Sequence, residues 1–150
     1  MTAPPVPEPG TTALKFMNIG VKGHVRMYRL SGGRLGKTVG GAPVFLLDHK
    51  GAKSGKERTT PLLYMKEGED LVIVASRGGS QANPAWLFNL RAHPDTTVQV
   101  GKDKFRVRAE ELDSAARAEV WPRLVKLFPD FDAYQARADR EIPVIRLRRV

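Results

Sequence analysis

A chain of 150 residues, 41% hydrophobic and 27% charged, has the size and composition of one globular domain with a real core. It contains no cysteine, which excludes disulfides, thiolate nucleophiles and zinc–thiolate centres, and His24, His49 and His93 lack metal-ligand spacing. The net charge of +9 is uneven: residues 11–47 carry Lys15, Lys22, Arg26, Arg29, Arg34 and Lys37 but no acid, a field that favours anionic partners.

Residues 1–10 hold four prolines and read as a disordered leader. They lack a secretory h-region, and no apolar run has the length to span a bilayer, so a cytoplasmic location is expected. Residues 13–30 predict a helix, because Leu14, Met17, Val21, Val25 and Tyr28 recur at spacings of three and four while Lys15, Lys22, Arg26 and Arg29 take other faces. Two roles stay open for it: a helix packed on the domain, or a basic amphipathic lid that touches a membrane surface. "SGGRLGKTVGG" at 31–41 reads as a connector, so the predicted organisation is leader 1–10, helix and connector 11–41, and main domain 42–150.

Strand patterns follow. "PVFLLDH" at 43–49 and "RTTPLLYM" at 58–65 are the first two, with Pro61 marking an edge or a bulge. "KEGED" at 66–70 is a turn, and "LVIVAS" at 71–76 is apolar enough for a central strand. Asn83 is expected to cap a short helix with Pro84 at its first position and Trp86, Leu87 and Leu90 facing inward. Residues 96–100 and 104–110 alternate as a hairpin. Asp113 caps a helix to Val120, Pro122 starts or kinks another to Phe128, and Asp130 caps a third that carries Phe131 and Tyr134. Residues 142–149 close the chain as a strand. Six strands joined by short turns predict a mostly antiparallel sheet: a mainly β fold with helical insertions, closer to a small barrel than to a doubly wound sheet.

Three stretches carry candidate chemistry. "GAKSGKER" at 51–58 is not a phosphate-binding P-loop: its glycines are one residue too close, and a β-like run follows. It reads either as a solvated hairpin tip or as a cradle whose amides, Lys53 and Arg58 receive an anion. "ASRGGSQANPAWLFNL" at 75–90 joins a strand end to a helix start, a place where a phosphate or polarised oxygen can bind; Trp86 either stacks on a flat ring or belongs to the core. Phe128, Phe131 and Tyr134 form either a packing stripe or an aromatic wall over a flat ligand. No G-x-S-x-G or dinucleotide fingerprint is present.

Together with "VWPRL" at 120–124 and "DREIPV" at 139–144, these stretches resemble the deazaflavin-dependent nitroreductase family, over roughly two thirds of the chain. The resemblance implies a split β-barrel of the FMN-binding-like kind, with an N-terminal helix. It also implies the deazaflavin coenzyme F420, whose phosphodiester and polyglutamate tail would explain a basic loop. By the same resemblance, Ala52, Lys53 and Ser54 contact the phosphate region, and Arg58, Thr59, Thr60, Pro61, Leu62 and Leu63 lie along the coenzyme. Val74, Ala75, Ser76 and Arg77, then Ala85, Trp86, Leu87, Phe88 and Asn89, meet its ring and ribityl chain; Phe131 lies near it, and Tyr134 lines the substrate pocket. The best-known nitroreductase branch has tyrosines where this chain has Leu63, Phe128 and Phe131, so a more apolar pocket is expected here.

The expected activity is hydride transfer from reduced F420 to an electron-poor quinone, nitroaromatic or activated enone, with Ser76 or Tyr134 relaying a proton. The expected partners are that small-molecule acceptor, a second copy of the chain and, through the N-terminal helix, the inner face of the cell membrane; nucleic acid is not expected. The alternatives are an FMN-dependent split-barrel oxidoreductase, a coenzyme carrier without turnover, or a basic barrel that binds nucleic acid. The last is disfavoured because the 96–110 hairpin offers only Phe105 for base stacking.

Overall fold

The computed structural model describes residues 12–39 and 41–150; the expected leader 1–10 lies outside them. Helix α1 (Thr12–Ser31) leads into β1 (Thr38–Val39), β2 (Ala42–Lys50), β3 (Glu57–Leu63), β4 (Met65–Glu67) and β5 (Asp70–Val74). A 3-10 turn (Arg77–Gly79) and α2 (Ala85–Ala92) precede β6 (Asp95–Val100) and β7 (Asp103–Glu111). Helices α3 (Ser114–Leu127) and α4 (Asp130–Arg137) and strand β8 (Val144–Arg149) complete the chain.

Every strand pairing is antiparallel, and the main ladder runs β1-β2-β6-β7-β8-β5-β4, with β3 paired to β2 alone. This curled sheet agrees with the predicted barrel-like class, but among the described residues it has eight strands rather than six. The extra two are short. Tyr64 breaks the expected 58–65 strand, its amide bonding Pro43 O at 3.2 Å, and residues assigned to a turn, Lys66 and Glu67, pair as β4. Pro61 sits opposite Leu46 on the edge strand β3, as its missing N–H requires.

The apolar run at 71–74 is buried on both faces, which is why it shows no alternation. Leu71 and Ile73 join Phe45, Leu47, Val98 and Leu147 in one core, closed by Trp86, Leu87 and Leu90 of α2. Val72 and Val74 face a second core, closed by Val120 and Leu124 of α3 and by Phe131 and Tyr134 of α4.

Two predicted helix starts and one predicted helix end are corrected. Asn83 is not a cap: its Oδ1 accepts from Arg140, and α2 begins at Ala85 after Pro84. Asp113 does cap α3, accepting from Ala116 N at 2.8 Å, but the helix continues through Pro122 instead of stopping at Val120. Pro122 is exposed, so the backbone acceptor it strands can turn to water. Asp130 lies inside the first turn of α4, with Pro129 as the cap residue.

Helix α1 is held firmly to the sheet. Tyr28 is buried and its hydroxyl accepts from Gly101 N at 2.7 Å. Arg29 Nη2 donates to Asp48 Oδ1 at 2.7 Å and to Thr59 Oγ1 at 3.0 Å, tying the helix to β2 and β3.

Candidate functional site

The basic loop closes on itself. Gly51 N donates to Lys56 O at 2.8 Å, and Gly55, at φ 67°, donates back to Gly51 O at 2.9 Å. This leaves Ala52, Lys53 and Ser54 at an exposed tip, flanked by exposed Lys50, Lys56 and Arg58. Among the described residues none of these four cations forms an ion pair.

A buried relay holds that tip in place. Ala52 N donates to Asn89 Oδ1 at 2.9 Å, which turns Asn89 Nδ2 toward His49 Nδ1 at 2.8 Å. Nδ1 therefore accepts, Nε2 carries the proton, and it faces Thr60 Oγ1 at 2.8 Å. His49 is held neutral: burial, then the Arg58 charge, lower its pKa to about 4, against a smaller opposing effect of Asp48. The relay joins three separately predicted site residues, Ala52, Thr60 and Asn89. Sequence reasoning weighed His49 only as a metal ligand and so missed it; the signal was a histidine at the end of a buried strand directly before the basic loop.

From Arg58 strand β3 runs toward the second core. Thr59 Oγ1 donates to Asp48 Oδ1 at 2.6 Å, while Pro61, Leu62 and Leu63 are half-buried, Leu62 against the first core and Leu63 against the second. Five residues of strand place Leu63 roughly 16 Å from Arg58. A cavity of about 770 Å³ lies between α1 and this strand, lined by Lys22, Arg26, Arg29, Arg58, Thr59 and Thr60 among others.

At the other end Val74, Ala75 and Ser76 are buried where β5 finishes, and Arg77 enters the turn at φ 45°. Helix α2 spans the two ends: Ala85 and Phe88 are exposed, Trp86 and Leu87 are core, and Asn89 reaches the relay. Phe131 and Tyr134 are packed among Phe128, Trp121 and Leu63, with Phe128 and Phe131 edge-on at 5.0 Å. The crevice bounded by Leu63, Tyr64, Phe128 and Phe131 is too narrow to admit a water molecule. Burial, then Asp130, raises the Tyr134 pKa, with Arg137 opposing, so its hydroxyl keeps its proton. Helix α4 abuts the turn so closely that a Cβ on Gly79 would lie 2.9 Å from Tyr134 O.

Among the described residues, the arrangement presents unpaired cations at one end, backbone amides of Ser76, Arg77 and Gly78 without acceptors at the other, and a strand and a helix between them. Its donor set suits an extended ligand with an anionic tail and a polarised head.

The chain is similar to known proteins. Residues 20–148 match the F420H(2)-dependent quinone reductase family. Rv3178 of Mycobacterium tuberculosis is 45% identical over 106 residues, covering 71% of this chain and 89% of the relative. Rv1261c of the same organism, an F420H(2)-dependent quinone reductase by name, is 39% identical over 132 residues, covering 84% of this chain and 87% of the relative. A solved F420-H2 dependent reductase superposes with TM-score 0.65 at 38% identity, over 70% of this chain and 93% of that one. A second solved chain, described as a domain-swapped dimer, gives TM-score 0.67 at 33% identity, over 89% and 97%.

Proposed function

The chain belongs to the F420H(2)-dependent quinone reductase family, and we propose that it binds the deazaflavin along β3, with the anionic tail at the Lys53–Arg58 tip and the ring near Ser76. Its coenzyme is F420, its activity is that of an oxidoreductase, and its acceptor is of the quinone type. When bound, the reduced coenzyme supplies the hydride.

The observation that carries the placement is the set of four exposed, unpaired cations beside a tip pinned by a buried relay. Charge-assisted bonds to phosphate and carboxylate suit Lys53 and Arg58. The half-buried Pro61, Leu62 and Leu63 offer an apolar floor and exclude water from one side of the ligand. Tyr134, kept protonated, and Ser76 are the groups able to hold the proton that the acceptor takes up. Oxidised coenzyme titrated by fluorescence, then reduced coenzyme mixed with menadione, tests the reading. Absent binding overturns it, and binding without turnover leaves a carrier.

Membrane contact forms the second element of the proposal. Met27, Leu30 and Leu35 are exposed beside Arg26, Arg34 and Lys37, an apolar edge in a basic surround that fits an anionic lipid headgroup layer and a lipid-soluble acceptor. Cosedimentation with anionic but not neutral vesicles is expected; equal recovery with both overturns it. A homodimer is the third, drawn from the domain-swapped relative, and light scattering at the monomer mass would reject it.

A further inference from the structure

The carbonyls between Ala75 and Asn83 are claimed from one side. Arg140 Nη2 donates to Ala75 O at 3.3 Å, Ser76 O at 3.2 Å and Ala82 O at 3.2 Å; Nε donates to Ser80 O at 3.2 Å, and Nη1 to Asn83 Oδ1. Arg137 Nη1 adds a bond to Gly78 O at 2.9 Å. Gln81 links back to the same segment, bonding Arg137 O at 2.9 Å and Asp139 N at 2.6 Å. Burial and the neighbouring Arg77 both work against the charge on Arg140, so its acceptors must compensate it.

A trans peptide holds its C=O and N–H antiparallel. The bonds from Arg140 to Ala75 O and Ser76 O therefore aim the amides of Ser76 and Arg77 away from it. Arg77 O accepts from Ser80 N at 3.2 Å, so the Gly78 amide points opposite to that bond. None of these three amides has an acceptor among the described residues. Ser76 is right-handed (φ −77°, ψ −36°) and Arg77 left-handed (φ 45°), a sequence of conformations that converges successive amides into an anion-binding concavity. Arg77 is the one non-glycine residue at positive φ among the described residues, so the geometry costs strain that its surroundings must hold.

We propose that Arg140 is a positioning residue of the coenzyme site: by claiming the carbonyls of the turn, it holds the amides of Ser76, Arg77 and Gly78 as a preformed seat for a polarised ring oxygen of the bound deazaflavin. The inference rests on the function proposed above. It gives a role to the arginine of the 139–144 stretch, which packs no core and touches no cation of the basic tip. Arginine's planar fork is what spans so many acceptors; lysine, a single ammonium, reaches fewer and does not replace it.

The test compares Arg140→Lys and Arg140→Gln with Arg117→Gln. Arg117 is a half-buried arginine that bonds Ile142 O at 2.8 Å and Gln135 Oε1 at 2.7 Å; it makes no bond to residues 75–83, though Gln135 in turn donates to Arg140 O at 2.7 Å. Amide NMR of the coenzyme-free proteins is expected to show the Ser76, Arg77 and Gly78 resonances shifted and broadened in both Arg140 variants only. Coenzyme affinity should fall at least about tenfold in both, and kcat with it, while Arg117→Gln keeps its affinity despite a comparable loss in Tm. Arg140→Lys carries the test if Arg140→Gln does not fold. Unchanged amide resonances, or unchanged affinity in a destabilised Arg140→Lys, overturn the proposal. If the wild type fails to bind coenzyme, the functional reading falls, and the coenzyme-free spectra still decide whether Arg140 orients the turn.

Discussion

Asn89 Nδ2 donates to His49 Nδ1 at 2.8 Å, and that bond joins a helix to the end of a strand 40 residues earlier. It fixes more than packing. Because the backbone amide of Ala52 can only donate, Asn89 must turn its oxygen to the loop and its nitrogen to the imidazole. The tautomer of one buried histidine is thereby set by the loop that carries the basic tip.

That histidine makes stability pH-dependent in a defined window. Its folded pKa, about 4, lies below the ordinary value of 6.5, so the unfolded chain takes up a proton first. Stability is full above about pH 6.5 and falls as pH drops toward 4, by on the order of 3 kcal/mol in total. Denaturant titrations between those limits should show this slope in the wild type and a flatter one in His49→Gln. Equal slopes would mean that other groups govern the window.

Removing the other half of the relay should separate loop order from fold. Asn89→Ala leaves Ala52 N and His49 Nδ1 without partners and should cost about 1–3 kcal/mol. The KM for coenzyme should rise more than kcat falls, because the tip loosens while the turn at Ser76 is untouched. A fall in kcat alone would place Asn89 in the chemistry instead.

The tip's charges should act as an electrostatic dock. Lys53→Ala combined with Arg58→Ala should weaken coenzyme binding about tenfold at low salt, and the gap should narrow as ionic strength rises. Undiminished affinity would move the anionic tail to another cationic surface, the groove beside Lys22 and Arg26 being the nearest.

Gly79 tests the contact between α4 and the turn. It sits at φ 81°, and an added Cβ would meet Tyr134 O at 2.9 Å and Tyr134 Cα at 3.0 Å, both backbone-bound and unable to yield cheaply. Gly79→Ala should cost about 2 kcal/mol or more and lower kcat, since the turn and α4 must part. A variant with wild-type Tm and kcat would show that the two elements are not coupled. Gly68, also at positive φ (60°) but with nothing within 4 Å of an added Cβ, is the matched control: Gly68→Ala should show only the backbone cost and leave kcat unchanged.

Periodicity and turn chemistry determined most of the fold from sequence alone. The helix at 13–30, the apolar strand at 71–76, the hairpin at 96–110 and the Asp113 cap are local patterns, and each depends on residues a few positions apart. The motifs "GAKSGKER" and "NPAWLFNL" likewise pointed to the family without a structure. Tertiary structure decided what those motifs do to one another. Asn83 looked like a cap and became an acceptor for Arg140, because a half-buried, charged guanidinium outcompetes a helix amide for its oxygen. His49 looked like a histidine without a purpose until Asn89 and Thr60 were brought to either side of it. Hydrogen bonds across 11, 40 and 57 residues leave no trace in local spacing. They arise only when the sheet curls and sets distant strand ends side by side.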